Sequence, residues 1–412
     1  MFDGRSQRVI LITVQDIKSA QKSLSTILIK TPLSLAPKLS KDLGVNIYLK
    51  KENLQNTGSF KLRGAFNKIS KLSKKERSFG IVAVSAGNHA QGVALSGQHF
   101  SIPTTIIMPE NTPLTKVNGV KSYGAEVILH GSYYDDAYQY AIQYAKERGN
   151  IFIHPFEDGD VIAGQGTIGL EILESDIDFD AVIIPIGGGG LISGVATAIK
   201  SRNPNIKIIG VASAGATALK QAFETDTKVS SPIKTIADGI AVRDSSEITL
   251  KYMKKYVDEV VAVDDEEIAS AILFLLENQK IVVEGAGAVG VASILYDKIN
   301  IQKYKNIAVI ISGGNIDVTM LSVIIEKGLV KSDRKLRLMI TLIDKHGSLM
   351  ELTRIFDKLS ANIVQIDYDR TAISIAYGDA NVSIDLEIKG DEHRKEIENE
   401  LRNSGYKFRS LD

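Results

Sequence analysis

The chain has 412 residues, which at about 100–200 residues per domain allows two to four domains, and its 44% apolar and 24% charged residues are typical of a globular protein rather than a disordered one. Lysine plus arginine and aspartate plus glutamate both number 49, so no positive excess is present to drive binding to nucleic acid or to an anionic membrane. With balanced charge, a small-molecule partner is favoured. The absence of cysteine excludes disulfides, thiolate nucleophiles and cysteine-ligated metals.

The N-terminus predicts no export signal. Its first residues lack a charged region followed by a long apolar segment, so a cytoplasmic location is expected. Residues 181–199 are uncharged, but they include Pro185 and four consecutive glycines. Such a stretch would leave backbone groups unpaired in lipid, so no membrane span is predicted.

From residue 46 to about residue 327, short β-branched runs alternate with longer helical patterns, which is typical of parallel strands joined by crossover helices. Most of the strand patterns are continuous apolar runs, as expected for strands covered on both faces. Strands are predicted at 47–50, 81–84, 104–108, 126–130, 151–154, 181–186, 206–211, 259–263 and 307–311. Helices are predicted at 134–148, 191–200, 265–279 and 286–299. The fold class of this part is α/β.

The pattern changes after residue 327. Residues 330–335 are polar and charged, which predicts a linker. The tail then has the order βαββαβ of a ferredoxin-like α+β sandwich. Its predicted elements are strand 336–343, helix 348–359, strands 363–368 and 380–388, helix 391–404 and strand 406–410.

The first motif with chemical potential is residues 58–65, which contain Lys61. This lysine lies just inside a predicted helix start, where the positive field of the backbone amides favours a neutral amine. A neutral amine can form an imine with an aldehyde. Most lysines are simply solvated, so Lys61 taken alone is better explained as a solvated lysine than as a catalytic one.

The second motif, residues 85–92, follows the strand 81–84 and opens a helix. Its amides and short polar side chains suit a carboxylate, because helix N-termini bind anions. The alternative is an ordinary helix cap made by Ser85 or Asn88. His89 is equally compatible with the site and with the core.

The third motif is the run of four glycines at residues 187–190, between a buried strand and a helix. Glycines let backbone N–H groups point inward, which suits a phosphate. The motif lacks the Lys-Ser/Thr ending of a nucleotide P-loop and the spacing of a dinucleotide fingerprint. A phosphate-bearing cofactor other than ATP or NAD fits better.

Two further glycine-containing segments follow. Residues 312–315 come directly after the strand 307–311, and the Ser312 hydroxyl can meet a heterocyclic nitrogen without protonating it, although a tight turn would explain the segment equally. Residues 284–288 need glycine either for close packing or for the approach of a ligand, and both interpretations stay open. In open α/β sheets ligands bind beyond the carboxyl ends of the strands, so these motifs are expected to converge on one site.

In this order, the motifs resemble those of the threonine dehydratases (threonine ammonia-lyases), which are fold-type-II pyridoxal-phosphate enzymes close to the serine dehydratases and serine racemases. The resemblance covers about residues 25–325, and residues 164–167 and 237–239 also match. It implies a catalytic domain at residues 1–328 with two open twisted sheets, the smaller lobe at about 65–150 being inserted in the larger. The tail, residues 336–412 after a linker at 329–335, resembles an ACT regulatory domain, although His346 stands where many ACT turns have proline.

The resemblance also implies roles for individual residues. Lys61 would hold the aldehyde of pyridoxal 5'-phosphate and act as the general base, with Phe60 lining the cofactor ring, Asn88 bonded to its 3-hydroxyl and Ser312 facing its pyridine nitrogen. The phosphate would be held by Gly187, Gly188, Gly189, Gly190 and Leu191. The substrate carboxylate would be held by Ser85, Ala86, Gly87 and Asn88. No metal site is implied.

The reaction implied is the conversion of L-threonine to 2-oxobutanoate and ammonia, with L-serine as a second substrate. A paired ACT-like tail would make the enzyme a homo-oligomer, a dimer or tetramer, that responds to an amino acid or a nucleotide. Whether it serves isoleucine biosynthesis or threonine degradation is left open.

Three alternative functions are less consistent with these residues. A serine racemase needs a proton donor where this chain has Ala86, and its metal-site glutamate would fall near Ser213. Serine dehydratases have a cysteine where this chain has Ser312. A non-catalytic amino-acid sensor would have no reason to retain Lys61.

Overall fold

The computed structural model describes residues 11–411. Its strands are β1 (Leu33–Leu35), β2 (Asn46–Lys51), β3 (Ile81–Val84), β4 (Thr104–Met108), β5 (Glu126–Leu129), β6 (Ile151–Phe152), β7 (Ala181–Pro185), β8 (Lys207–Ser213), β9 (Glu259–Val263), β10 (Asn306–Ile311), β11 (Lys335–Ile343), β12 (Asn362–Asp369), β13 (Asp379–Glu387) and β14 (Lys407–Ser410). Its α-helices are α1 (Val14–Leu24), α2 (Pro37–Leu43), α3 (Lys61–Ser70), α4 (Lys74–Ser78), α5 (Asn88–His99), α6 (Leu114–Lys121), α7 (Tyr134–Arg148), α8 (Gly159–Leu173), α9 (Gly190–Arg202), α10 (Ala218–Thr225), α11 (Glu247–Tyr256), α12 (Asp265–Gln279), α13 (Gly285–Leu295), α14 (Val318–Lys331), α15 (Ser348–Lys358) and α16 (Asp391–Asn403).

The largest sheet has the strand order β1-β2-β10-β7-β8-β9. Its strands from β2 to β9 run parallel, and β1 pairs antiparallel with β2. The central strands β7 and β10 are almost entirely buried, which matches their continuous apolar sequences. The predicted α/β class of this part is confirmed.

A second, smaller sheet has the order β5-β4-β3-β6 and is parallel throughout. All four of its strands fall between β2 and β7 along the chain, so this lobe interrupts the larger sheet. The motif at residues 85–88 follows the carboxyl end of β3, and the glycine run at residues 187–190 follows that of β7. Both sheets therefore present their loops where ligands usually bind in α/β folds.

The tail forms an antiparallel sheet of order β12-β13-β11-β14, with the helices α15 and α16 between its strands along the chain. In β11 and β13 buried residues alternate with less buried ones, the pattern of a sheet covered on one face. The predicted βαββαβ order and ferredoxin-like class are confirmed.

Residues 11–411 divide into two compact units between Ile316 and Asp317. Helix α14 therefore groups with the second unit, whereas the sequence predicted a linker at residues 329–335. The helix continues to Lys331, and β11 begins at Lys335, whose ammonium lies 2.6 Å from Glu326 and 3.0 Å from Asp385. Lys335, one of the charged residues that predicted a linker, is thus paired with carboxylates of folded elements.

The uncharged stretch at residues 181–199 is divided between strand β7 and helix α9. Among residues 11–411, no helix combines the length and the apolar character needed to cross a bilayer.

Candidate active site

Lys61 is the first residue of α3, and its motif is bonded directly to the motif around Ser312. The Phe60 amide donates to the Ser312 carbonyl at 3.0 Å, and the Gly314 amide donates to the Gly58 carbonyl at 2.9 Å. These segments are more than 200 residues apart in sequence, and their backbones form a short antiparallel bridge. The predicted convergence of these two motifs is therefore observed.

The surroundings of Lys61 favour its neutral form. Burial lowers the pKa of the Lys61 amine to about 8, and the negative charge of Glu284 opposes this decrease. The amine lies 5.2 Å from the centroid of the Phe60 ring. Near pH 8 a large share of the amine is unprotonated and able to react with an aldehyde.

Asn88 lies at the start of α5 and takes part in a chain of side-chain hydrogen bonds. Its Nδ2 is 2.8 Å from Oε1 and 3.0 Å from Oε2 of Glu284. Its Oδ1 accepts from Asn315 Nδ2 at 2.7 Å, and the same nitrogen donates to the Thr57 carbonyl at 2.8 Å. Three of the predicted motifs thus meet at one side chain.

Glu284 is a site residue that the sequence did not single out. It occupies the position before α13 but makes no capping hydrogen bond there, because its carboxylate faces Asn88 instead. Burial raises the pKa of Glu284, and the hydrogen bonding from Asn88 opposes that rise. The only signal in the sequence was an acidic residue beside the glycines of residues 284–288.

A helix cap by Ser85 or Asn88, the alternative interpretation of this motif, is not formed. The N-cap of α5 is Gly87, with no side-chain capping bond, and Asn88 is the first helical residue. The Ser85 hydroxyl accepts from the Gly87 amide at 3.1 Å, which leaves its own proton free to be donated. Ala86 lies between them and carries no polar side chain.

His89 is a buried core histidine. Its Nε2 donates to the Ile153 carbonyl at 2.8 Å. Burial, followed by the charge of Lys61, lowers the pKa of His89 to about 3. The ring is therefore neutral at ordinary pH, and it adds no positive charge near Lys61.

The glycine run joins β7 to α9, whose first residue is Gly190. Gly189 has a φ of +86°, a left-handed conformation that favours glycine. None of the hydrogen bonds among residues 11–411 uses the amide N–H groups of Gly187, Gly188, Gly189 or Gly190. Four unused donors at the start of a helix form a cradle for an anion.

Residues from other parts of the chain pack tightly against the backbone of the glycine run. A Cβ at Gly187 would lie 2.8 Å from Ile240 Cα, and one at Gly188 would lie 2.5 Å from the Phe156 ring. Thr249 Oγ1 donates to the Gly188 carbonyl at 2.8 Å, a hydrogen bond that fixes the backbone of the glycine run. Glycine is therefore required at these positions for packing.

Ser312 follows β10 and is almost fully buried, at 1% exposure. Leu191, also predicted at the phosphate, is buried as the second residue of α9. The Ser59 hydroxyl is another buried group, and it has no hydrogen-bond partner among the described residues. A buried hydroxyl without a partner, two residues before Lys61, is available to donate to a bound group.

Arg63 holds α3 in place from the interior. Its fully buried guanidinium lies 2.7 Å from Glu52 and 2.6 Å from Glu171, and Lys50 lies 2.5 Å from Glu171. Burial opposes the charge of Arg63, but the two carboxylates raise the pKa of the guanidinium overall. Two positive and two negative charges balance, and they tie the helix that begins at Lys61 to β2 and α8.

No group of three or more histidine, aspartate or glutamate side chains within residues 11–411 is arranged to hold a metal ion. The Ser213 hydroxyl, at the position considered for a racemase metal site, donates to Thr235 Oγ1 at 2.7 Å.

The sequence pattern of the pyridoxal-phosphate dependent enzyme family matches residues 24–313. The chain belongs to this family. The unused amides of the glycine run and the buried amine of Lys61 fit the phosphate and the aldehyde of pyridoxal phosphate. The glycine run leads into α9, and Lys61 is the first residue of α3.

Curated relatives share most of the chain's length. The L-threonine ammonia-lyase of Thermotoga maritima is 50% identical, over 97% of this chain and 99% of its own length. The L-threonine ammonia-lyase of Geobacter sulfurreducens is 44% identical, over 95% of this chain and 97% of its own. A catabolic L-threonine dehydratase, TdcB, of Staphylococcus aureus is 45% identical over 79% of this chain and 96% of its own, so it is a shorter protein.

Solved structures share the fold. Processed threonine deaminase isoform 2 from Solanum lycopersicum matches with a TM-score of 0.72 and 40% identity, covering 78% of this chain and 89% of its own. Maize serine racemase matches with a TM-score of 0.73 and 34% identity, covering 78% and 99%. The fold is therefore common to ammonia-lyases and racemases.

Proposed function

We propose that this chain is a pyridoxal-phosphate-dependent L-threonine ammonia-lyase that forms 2-oxobutanoate and ammonia and also accepts L-serine. The observation that carries the proposal is the 50% identity to an L-threonine ammonia-lyase over 97% of this chain. The hydrogen bonds that join the Lys61, Asn88 and Ser312 motifs support it.

Residues of four motifs would hold the cofactor. Lys61 Nζ would bind the aldehyde, the Asn88 amide would bind the 3-hydroxyl, and the amides of residues 187–191 would bind the phosphate. Phe60 would line the ring and Ser312 would face the pyridine nitrogen. When bound, the cofactor supplies a conjugated ring that stabilises negative charge at the substrate Cα.

The protein's own groups then orient the substrate and move protons. The amides and hydroxyl of residues 85–88 bind the substrate carboxylate at the start of α5. Lys61 Nζ takes the proton from Cα, because burial lowers its pKa to about 8 and leaves a large share of the amine unprotonated at that pH. The Ser312 hydroxyl is too weak an acid to protonate the ring nitrogen, which favours loss of the β-hydroxyl over transamination.

Replacing Lys61 tests this assignment. Lys61→Ala should abolish 2-oxo acid formation from threonine and from serine, because no other group of the motif can bind the aldehyde or accept the Cα proton. Borohydride reduction of the native holoenzyme should label Lys61. The matched control is Lys71→Ala, an ion-paired lysine just after the same helix, which should keep full activity. Labelling at another lysine, with turnover intact in Lys61→Ala, would refute the assignment.

Serine racemisation is the second candidate, because maize serine racemase shares the fold. Racemisation needs a proton donor on the face opposite Lys61, and Ala86 has none to give. The expected result is 2-oxo acid without D-serine from L-serine. Formation of D-serine at a comparable rate would change the assignment.

The C-terminal sheet supports a regulatory role through pairing of subunits. Its edge strand β12 exposes residues on both faces, including Val364, Ile366 and Tyr368 at 50%, 39% and 38% exposure. An edge with an unpaired backbone and apolar side chains is a surface for strand pairing.

A second copy of the chain fits this edge. Antiparallel pairing centred on Ile366 would set Val364 opposite Tyr368 of the partner subunit and Gln365 opposite the partner's Asp367. The arrangement is self-complementary, as a twofold axis requires, and it sets no like charges against each other. It gives a homo-oligomer whose paired ACT-like units bind an amino acid or nucleotide effector.

We place the enzyme in the cytoplasm and in amino-acid metabolism. Inhibition of turnover by isoleucine would assign it to isoleucine biosynthesis, and activation by a nucleotide would assign it to threonine degradation.

A further inference from the structure

Gln165 is a buried side chain that none of the roles above uses. It lies on α8 and is fully buried, and neither its Oε1 nor its Nε2 has a hydrogen-bond partner among the described residues. A buried amide normally satisfies both its donors and its acceptor, because leaving them unpaired is unfavourable. The side chain therefore requires an explanation.

The position of the Gln165 amide gives one. A Cβ at Gly190, the first residue of α9, would lie 2.8 Å from Gln165 Oε1. A Cβ at Gly64, on α3, would lie 3.1 Å from Gln165 Nε2. The amide thus lies between the helix that begins the phosphate cradle and the helix that begins at Lys61.

The face of α3 that meets Gln165 is also the face of the reactive lysine. Lys61 and Gly64 are three residues apart, so they share one side of the helix. Glycine at residues 64 and 190 leaves the space that the amide fills. The chain thus has no side chain at residues 64 and 190, the two positions that border the unpartnered amide of Gln165.

We propose that Gln165 is a cofactor-binding residue, whose amide donates a hydrogen bond to the phosphate held by the glycine run. The inference rests on the proposed cofactor site. A half-turn about the last side-chain torsion exchanges Nε2 and Oε1, so the donor can face the start of α9, since that torsion is broad and nearly two-fold. The amide then adds a side-chain donor to the backbone amides of residues 187–190.

Cofactor affinity measured with and without the phosphate tests the contact. The variant is Gln165→Met, which keeps the volume and removes the donor. Apoprotein is titrated with pyridoxal 5'-phosphate and with pyridoxal, and binding is followed by absorbance. A hydrogen bond to a charged group predicts about a tenfold loss of affinity for pyridoxal 5'-phosphate and no change for pyridoxal.

A second readout is the ³¹P resonance of the bound cofactor, which should shift in Gln165→Met. The matched control is Thr197→Val, which removes a buried hydroxyl of α9 that is bonded within its own helix, to the Ser193 carbonyl at 2.7 Å. This variant should bind both compounds as the native protein does.

The outcomes separate contact from packing. An equal loss for both compounds would make Gln165 a packing residue, and no loss for either would also overturn the proposal. If Gln165→Met is unstable, Gln165→Glu provides a second test, because its carboxylate should repel the phosphate and selectively weaken pyridoxal 5'-phosphate binding. If borohydride reduction of the holoenzyme did not label Lys61, the cofactor site itself would be in doubt, whatever the relative affinities for pyridoxal 5'-phosphate and pyridoxal.

Discussion

At the residue scale, the reactivity of the Lys61 amine depends on how its surroundings change its pKa. Burial lowers its pKa from 10.5 to about 8, with Glu284 opposing the change. Because only the neutral amine attacks an aldehyde, cofactor capture by the apoprotein should accelerate as pH rises towards 8 and level off above it. Stopped-flow absorbance at a series of pH values measures the midpoint. A rate that still rises tenfold per pH unit above pH 9 would mean that the amine has its usual pKa.

Glu284 provides a test of the electrostatic part of this argument. Its negative charge stabilises the ammonium of Lys61, so Glu284→Gln should move the capture midpoint to lower pH. The same change weakens the acceptor for Asn88 Nδ2, and turnover should fall by about tenfold. Glu224→Gln, on the exposed face of α10, should move neither quantity. An unchanged midpoint in Glu284→Gln would remove Glu284 as the cause.

At the scale of elements, the turn between β7 and α9 depends on glycine for packing. In Gly188→Ala the new Cβ would lie 2.5 Å from the Phe156 ring, so either the ring or the loop must move. We expect cofactor affinity to fall by about tenfold or more, since the amides lose their alignment. Gly119→Ala is the control, because its Cβ would meet nothing within 4 Å and it lies within helix α6. Full affinity in Gly188→Ala would show that the loop tolerates the shift.

The elements most clearly predicted from sequence were those with a local cause. The buried strands are continuous apolar runs, and β3, β4 and β9 begin and end at the predicted residues. The glycine run was recognisable because a strand and a helix flank it. The predicted α13 was too long, since the helix ends at Leu295 shortly before Asp297, whose φ is +52°.

The features that were missed depend on contacts between distant residues. Glu284 and Asn88 are hydrogen-bonded although they are 196 residues apart in sequence, so no local sequence pattern predicts the pair. Gln165 is one of several polar residues of α8, and its lack of partners is visible only when α3 and α9 are in place. Lys335 was assigned to a linker because its partner Asp385 lies on another strand. Burial and pairing in three dimensions decide such cases.

At the scale of the whole molecule, the C-terminal unit should make the enzyme responsive to an effector. A chain ending after Lys331 keeps every residue of the candidate site, and a shorter relative of 45% identity lacks a counterpart to about a fifth of this chain. The truncated enzyme should turn over threonine at a rate near that of the full chain while losing any response to isoleucine, valine or a nucleotide. Allosteric coupling is usually worth about 1–3 kcal/mol, a change of about 5- to 150-fold in affinity.

The edge strand β12 allows the same test in the full chain. Ile366→Asp sets two carboxylates against each other at the centre of the proposed pairing, so the mass measured by light scattering should fall and the effector response should disappear. Lys395→Ala, on the exposed surface of α16, should change neither the mass nor the response. Turnover without effector should be unaffected in both variants, because neither residue belongs to the catalytic unit. If the truncated enzyme or Ile366→Asp responds to an effector as the native chain does, the regulatory role of β12 and its sheet must be abandoned.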